Sequence, residues 1–105
     1  MRVYIAGPYT KGDVAENVRE AINTGDIIAL EGHTVFIPHL NHFWHMIHLH
    51  SYEFWIKQDE DWLKCCDALV RLPGESIGAD IEVKLAERLG IPVFTSPYAF
   101  LRSIN

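Results

Sequence analysis

The chain has 105 residues, 49% of them apolar and 22% charged, with a formal net charge of −5. Such a length suits one domain over residues 1–105 with a single modest core, and the balance excludes a disordered or fibrous chain. The acidity argues against a nucleic-acid polymer as partner, and no apolar run reaches membrane-spanning length.

The adjacent cysteines Cys65 and Cys66 offer no disulfide framework. The first residues enter a strand pattern directly, without a signal sequence. A reducing, cytoplasmic setting is the expectation.

Arg2 to Ala6 is a short apolar run closed by Gly7-Pro8, which predicts a buried strand. A turn-rich loop to Gly12 follows, and Asp13 is placed to cap a helix running to about Glu31. Ala15, Val18, Ile22, Gly25 and Ala29 are its expected inward positions. Thr34 to Ile37 reads as a second strand stopped by Pro38. From His39 to Ser51 the chain is irregular or weakly helical and rich in histidine.

Tyr52 to Cys66 predicts a helix, Ala68 to Leu72 a third strand, Ser76 to Leu89 a helix closed by Gly90, and Ile91 to Phe94 a fourth strand. Pro97 to Asn105 predicts a short final helix. Strand and helix alternate, which implies a parallel sheet covered by helices on both faces. The expected fold is α/β, a flavodoxin-like (Rossmann-like) three-layer sandwich with strand order 2-1-3-4. Ligands in such sheets bind beyond the carboxyl ends of the strands, where the order switches. That crevice sets the loop Gly7–Gly12 against the loop Gly74–Gly78.

Two carboxylates sit on the wrong helix faces. In the helix after the third strand, Asp80, Lys84, Glu87 and Arg88 share a solvated face, while Ala79, Val83, Ala86 and Leu89 lie opposite. Glu82 falls with the second group. In the helix from Tyr52, Asp59 falls among Tyr52, Trp55, Trp62, Leu63 and Cys66. A lone buried charge costs several kcal/mol, so an inward carboxylate is paired, neutralised or used. Two of them in one small domain suggest an acid and a nucleophile. A buried polar network tying helix to loop is the structural alternative.

Pro73 to Gly78 places N–H groups and the Ser76 hydroxyl at a helix N-terminus, a natural anion site. Ser76 serves equally as an ordinary N-cap. Tyr9 and Thr10 stand where a sugar or phosphate would be held, whereas Tyr4 reads as packing. His39, His42, His45 and His48 recur every three residues, a spacing compatible with metal ligation. Packing in a lid, with one histidine touching a ligand, is favoured over a metal, and no cofactor is expected. Asp67 opens a strand at the end of the sheet away from the crevice and reads as structural. The cysteines lie far from an activating helix N-terminus.

Three segments, Ala6-Gly-Pro-Tyr9, Asp59-Glu-Asp-Trp-Leu-Lys-Cys-Cys-Asp67 and Ser76-Ile-Gly-Ala-Asp-Ile-Glu82, resemble the nucleoside 2-deoxyribosyltransferase superfamily. The similarity is nearest to its 2′-deoxynucleoside 5′-monophosphate N-glycosidase branch. Pro38-His-Leu-Asn-His-Phe-Trp-His45 also resembles a group of short bacterial and phage proteins of that superfamily.

The resemblance implies Glu82 as nucleophile through a covalent glycosyl intermediate. It implies Asp59 as a second carboxylate that orients the sugar or helps protonate the departing base. Ser76 and Gly78 would hold phosphate; a serine at position 76 points to monophosphates rather than free nucleosides. Gly7, Pro8, Tyr9 and Thr10 would hold phosphate or sugar. In this mechanism the aromatics Tyr9, Phe43, Trp44 and Trp55 would stack the base and exclude water, and His42 would touch the ligand. The partner implied is a small nucleotide or nucleoside, in a homodimer or higher homo-oligomer. Two other classes stay open: a non-catalytic nucleotide-binding module using the same pocket, and a metal protein built on the histidines.

Overall fold

The structure is a computed structural model describing residues 1–104. Four strands, β1 (Arg2–Ala6), β2 (Thr34–Phe36), β3 (Ala68–Arg71) and β4 (Val93–Phe94), form one parallel sheet in the order β2-β1-β3-β4. The expected fold class and strand order are those observed. The helices are α1 (Val14–Ala29), α2 (Asn41–Ile47), α3 (Tyr52–Leu63), α4 (Ile77–Arg88) and α5 (Pro97–Ser103). Asn105, expected to end the last helix, lies outside the described residues.

Strand side chains alternate between faces, and this alternation builds two cores. Val3, Ile5, Ala68 and Val70 face α1 and α5, packing with Ala21, Ile28 and Phe100. Tyr4, Ala6 and Leu69 face α3 and α4, packing with Leu63, Ala79 and Ala86. The sheet is therefore the middle of three layers, as expected.

Local chemistry sets the element ends. Asp13 accepts from the Glu16 N–H at 3.2 Å, and Ser51 accepts from Phe54 at 3.2 Å. Asp67 Oδ2 accepts from the Arg2 N–H at 2.8 Å, joining the start of β1 to the segment entering β3. Gly74 has φ +114°, a left-handed conformation that favours glycine. A β-carbon there would lie 2.8 Å from Pro8 Cγ. The loops after β1 and β3 thus meet at the switch point.

Several expected boundaries and faces shift. β2 ends at Phe36, α3 ends at Leu63 and β4 has two residues. The segment from Pro38 is more regular than expected, a 3-10 turn (Pro38–Leu40) running into α2. In α1 the buried residues are Val18, Ala21, Thr24, Gly25 and Ile28, not Ala15, Ile22 and Ala29. Ala21 and Ile28 give an equally good helical stripe one residue earlier. Tyr52, Trp62 and Leu89, expected inward, are exposed. Trp62 lies across the edge of the sheet, its ring 5.2 Å from that of Phe36 and nearly parallel to it.

Candidate active site

Ala79 and Ala86 of α4 are buried against the sheet. Glu82 lies three residues after the first and four before the second, so it shares their face. Asp59 likewise precedes the buried Leu63 of α3 by four residues. The two helices pack side by side on one face of the sheet, and both carboxylates line a cavity of about 680 Å³ above the carboxyl ends of the strands.

Beneath them is Tyr4, fully buried in the centre of β1. Its hydroxyl donates to Glu82 Oε2 across 78 residues of sequence. Burial pushes Glu82 up to about 8; the Tyr4 hydrogen bond and the Arg71 charge pull it down, while Asp59 and Glu60 push it up. Burial also raises Asp59, to about 7. Tyr4 is raised well above its ordinary value by burial and by the carboxylates of Glu82 and Asp59. Near neutrality the pair therefore retains a proton that two exposed carboxylates would release. Tyr4 and Arg71 favour the anion on Glu82. Asp59 Oδ1 is buried with no partner among the described residues.

The turn before α4 forms the second wall. Ser76 Oγ accepts from the Ala79 N–H at 3.1 Å, as an N-cap does. Arg71 ties the turn together, donating to the carbonyls of Leu72 (2.5 Å) and Gly74 (2.9 Å) and to Asp80 Oδ1 (2.8 Å). Lys11 and Glu75, both exposed, pair across the two loops at 3.6 Å.

The third wall comes from the histidine-rich segment. The Tyr9 hydroxyl and His42 Nδ1 share a hydrogen bond of 2.5 Å. The indole N–H of Trp55 donates to His45 Nδ1 at 2.9 Å. His39, 4% exposed, donates through Nε2 to the Pro8 carbonyl at 2.9 Å, and its Nδ1 has no partner among the described residues. Burial lowers the His39 pKa against the opposing carbonyls of Pro8 and Gly7. The histidines are thus dispersed along the wall, and no three His, Cys, Asp or Glu residues among those described are grouped as metal ligands would be.

Of the residues singled out in the sequence, Gly7, Tyr9, Thr10, His42, Trp55, Asp59, Ser76, Gly78 and Glu82 line this one cavity. Pro8, Phe43 and Trp44 do not. Pro8 turns its ring onto Gly74 and gives its carbonyl to His39. Trp44 packs edge-on against Trp55, ring centroids 4.9 Å apart, holding that side chain from behind. Cys65 and Cys66 stand away from the cavity lining, and their thiols donate to the carbonyls of Asp61 and Trp62.

Tyr4 and Arg71 were not anticipated. The signal for Tyr4 lay in its parity: it shares a face with Ala6, toward the helices that carry the inward carboxylates. Arg71 ends a buried strand, one residue before the turn that it then binds.

A family model described as "Domain of unknown function (DUF4406)" matches residues 1–95. The chain belongs to that family. Comparison with the curated proteins returns no match. Among solved structures, the chain is similar to a 2-deoxyribosyltransferase from the psychrotolerant bacterium Bacillus psychrosaccharolyticus, with 26% identity over 89% of this chain and 69% of that one and a TM-score of 0.67. It also shares the fold of a 2-desoxiribosyltransferase from Leishmania mexicana, at 21% identity and a TM-score of 0.65, covering 88% of this chain. The chain spans 61% of the length of that second structure, less than two thirds. No helix among the described residues is long and apolar enough to cross a membrane.

Proposed function

We propose that this protein cleaves the N-glycosidic bond of a deoxynucleoside 5′-monophosphate or nucleoside, passing the sugar to water or to another base. The observation that carries this reading is the buried Glu82 held by the Tyr4 hydroxyl beside Asp59, in a cavity at the switch point of the sheet. The fold shared with the Bacillus 2-deoxyribosyltransferase supports it.

In this reading a Glu82 carboxylate oxygen bonds to C1′ as the bond from C1′ to the base nitrogen breaks. The bonding pair leaves with the base, which takes up a proton. Charge on C1′ builds through an oxocarbenium-like transition state. Tyr4 occupies Oε2 and orients the carboxylate, leaving Oε1 for the attack. Water then attacks C1′, its oxygen bonding to carbon while Glu82 recovers its electron pair. A second base at C1′ gives transfer instead. Asp59 holds the sugar and keeps a proton in the site.

Lys11 is the one lysine or arginine among the described residues lining the cavity, and it is paired with Glu75. A 5′-phosphate is therefore held by the first N–H groups of α4 and the Ser76 hydroxyl, which can donate while its oxygen still caps the helix. Trp55, fixed by His45 and Trp44, is the aromatic wall for the base. Phe43, Met46, Ile47, Leu49, Tyr52 and Ile77, each more than half exposed, form apolar surface that a second copy of the chain covers in a homo-oligomer.

The test is release of free base from a panel of ribo- and deoxynucleosides and their 5′-monophosphates. Wild type should release base from at least one, and Glu82→Ala should not. A folded wild type that binds nucleotide without turnover would replace this reading with a non-catalytic binding module.

A further inference from the structure

Arg71 stands outside the cavity lining, yet it holds together the parts that build one wall. It is the last residue of β3, a strand otherwise buried, and its side chain is 18% exposed. One terminal nitrogen, Nη1, donates to the carbonyls of Leu72 at 2.5 Å and Gly74 at 2.9 Å. The other, Nη2, donates to Asp80 Oδ1 at 2.8 Å and reaches the Ser76 carbonyl at 3.5 Å. One arm of the fork thus holds the turn, and the other holds the start of α4. A guanidinium is planar and rigid, so the fork itself sets the spacing between turn and helix.

The turn has little support of its own at these points. No backbone N–H among the described residues donates to the carbonyls of Leu72 or Gly74. Glu82 stands on α4 two residues after Asp80. Its partner Tyr4 is fixed in the middle of β1. Carboxylate and hydroxyl therefore stay joined only while the start of α4 keeps its seat. Ala79 and Ala86 seat the helix on the sheet, and Arg71 ties its first turn to the end of β3.

We propose that Arg71 is a positioning residue for the nucleophile: its fork locks the turn before α4 to the first turn of that helix and so keeps Glu82 aligned with Tyr4 for attack. The assignment rests on the glycosidic reading, in which Glu82 is the attacking group. Charge supports the same role. Among the described groups whose charge shifts Glu82, Arg71 is the one cation, and it favours the anion against Asp59 and Glu60. Arg71 touches no substrate in this role; it acts through the turn and through Glu82.

Three variants separate geometry from charge. Arg71→Lys keeps the charge but has one nitrogen where the fork has two. Arg71→Met keeps neither. Asp80→Ala removes an exposed partner of one arm and leaves the cation in place. The experiment measures kcat, KM and the pH dependence of kcat/KM for wild type and the three variants, on the substrate found active in the base-release panel. Urea unfolding runs beside it. A displacement of about 1 Å can cost on the order of a hundredfold in rate. Arg71→Lys should therefore lose about tenfold to a hundredfold in kcat, with its pH limb where wild type has it. Arg71→Met should lose at least as much, and its limb should move to higher pH. Asp80→Ala should lose a smaller factor at an unchanged limb.

A merely structural arginine would lower stability and leave kcat and the pH limb of the folded variants at wild-type values. That result in Arg71→Lys and Arg71→Met overturns the assignment. Where neither arginine variant folds, Asp80→Ala decides, and wild-type kcat in it overturns the assignment. Release of no base by wild type would overturn the glycosidic reading itself. The Glu82 carboxyl, followed by carbon-13 NMR, separates the two failures. It should titrate at higher pH in Arg71→Met than in wild type, and identical titrations would overturn the link between Arg71 and Glu82.

Discussion

Glu82→Gln should stabilise the protein, and by much more at pH 8 than at pH 5. Glutamine keeps the shape of the side chain and still accepts from the Tyr4 hydroxyl, but it carries no charge to bury. Burial raises the Glu82 carboxyl from 4.5 to about 8. Below 4.5 it is protonated in both folded and unfolded chains and costs nothing. Between 4.5 and 8 the unfolded chain releases the proton while the folded chain keeps it, so stability falls as pH rises through that window.

At about 1.4 kcal/mol per pH unit, the shift costs roughly 1 kcal/mol at pH 5 and on the order of 4 kcal/mol at pH 8. The difference of about 3 kcal/mol is a large part of the ~5–15 kcal/mol that holds a domain together. Asp59 is raised by the same cause, so both proteins lose stability with pH. Subtracting one curve from the other isolates Glu82. The assay is urea unfolding of wild type and Glu82→Gln at several pH values from 5 to 8. Parallel stability curves would refute the reasoning, because they would mean that Glu82 ionises as freely in the folded chain as in the unfolded one.

Tyr4→Phe removes a hydrogen bond that lowers the Glu82 pKa; base release, which needs ionised Glu82, should then rise with pH roughly one unit later than in wild type, read from the pH dependence of kcat/KM. Ser76→Ala should cost about 1 kcal/mol through loss of the α4 cap, and should raise KM more for monophosphates than for nucleosides. Asp67→Ala should lower stability by about 1 kcal/mol by freeing the Arg2 N–H and leave base release unchanged, checked by urea unfolding beside the activity assay. Gly74→Ala should cost more than ~1 kcal/mol, since it combines a positive φ with a contact against the Pro8 ring; a thermal melt no lower than that of wild type would count against that packing.

What could be read from residues alone followed from local physics. Gly7-Pro8, Gly32, Pro38 and Gly90 punctuate the chain. The strand runs between them are apolar, and the alternation of strand and helix leaves few topologies, so the sheet order was legible. Glu82 and Asp59 were legible too, because a helical wheel shows a carboxylate on an apolar face whatever the helix packs against.

The tertiary structure decided what those faces meet. Two adjacent stripes of α1 were almost equally apolar, and contact with the sheet selected Ala21 and Ile28 over Ile22 and Ala29. The sequence shows that Tyr4 alternates with Val3 and Ile5. Only the packing of α3 and α4 against that face brings its hydroxyl to Glu82, 78 residues away. The same holds for His42. Its spacing matches that of its neighbours, and its difference from them is the hydroxyl of Tyr9, which arrives from another loop. Periodicity reports which way a side chain points, whereas partner, burial and proton depend on atoms far along the chain, which no local pattern encodes.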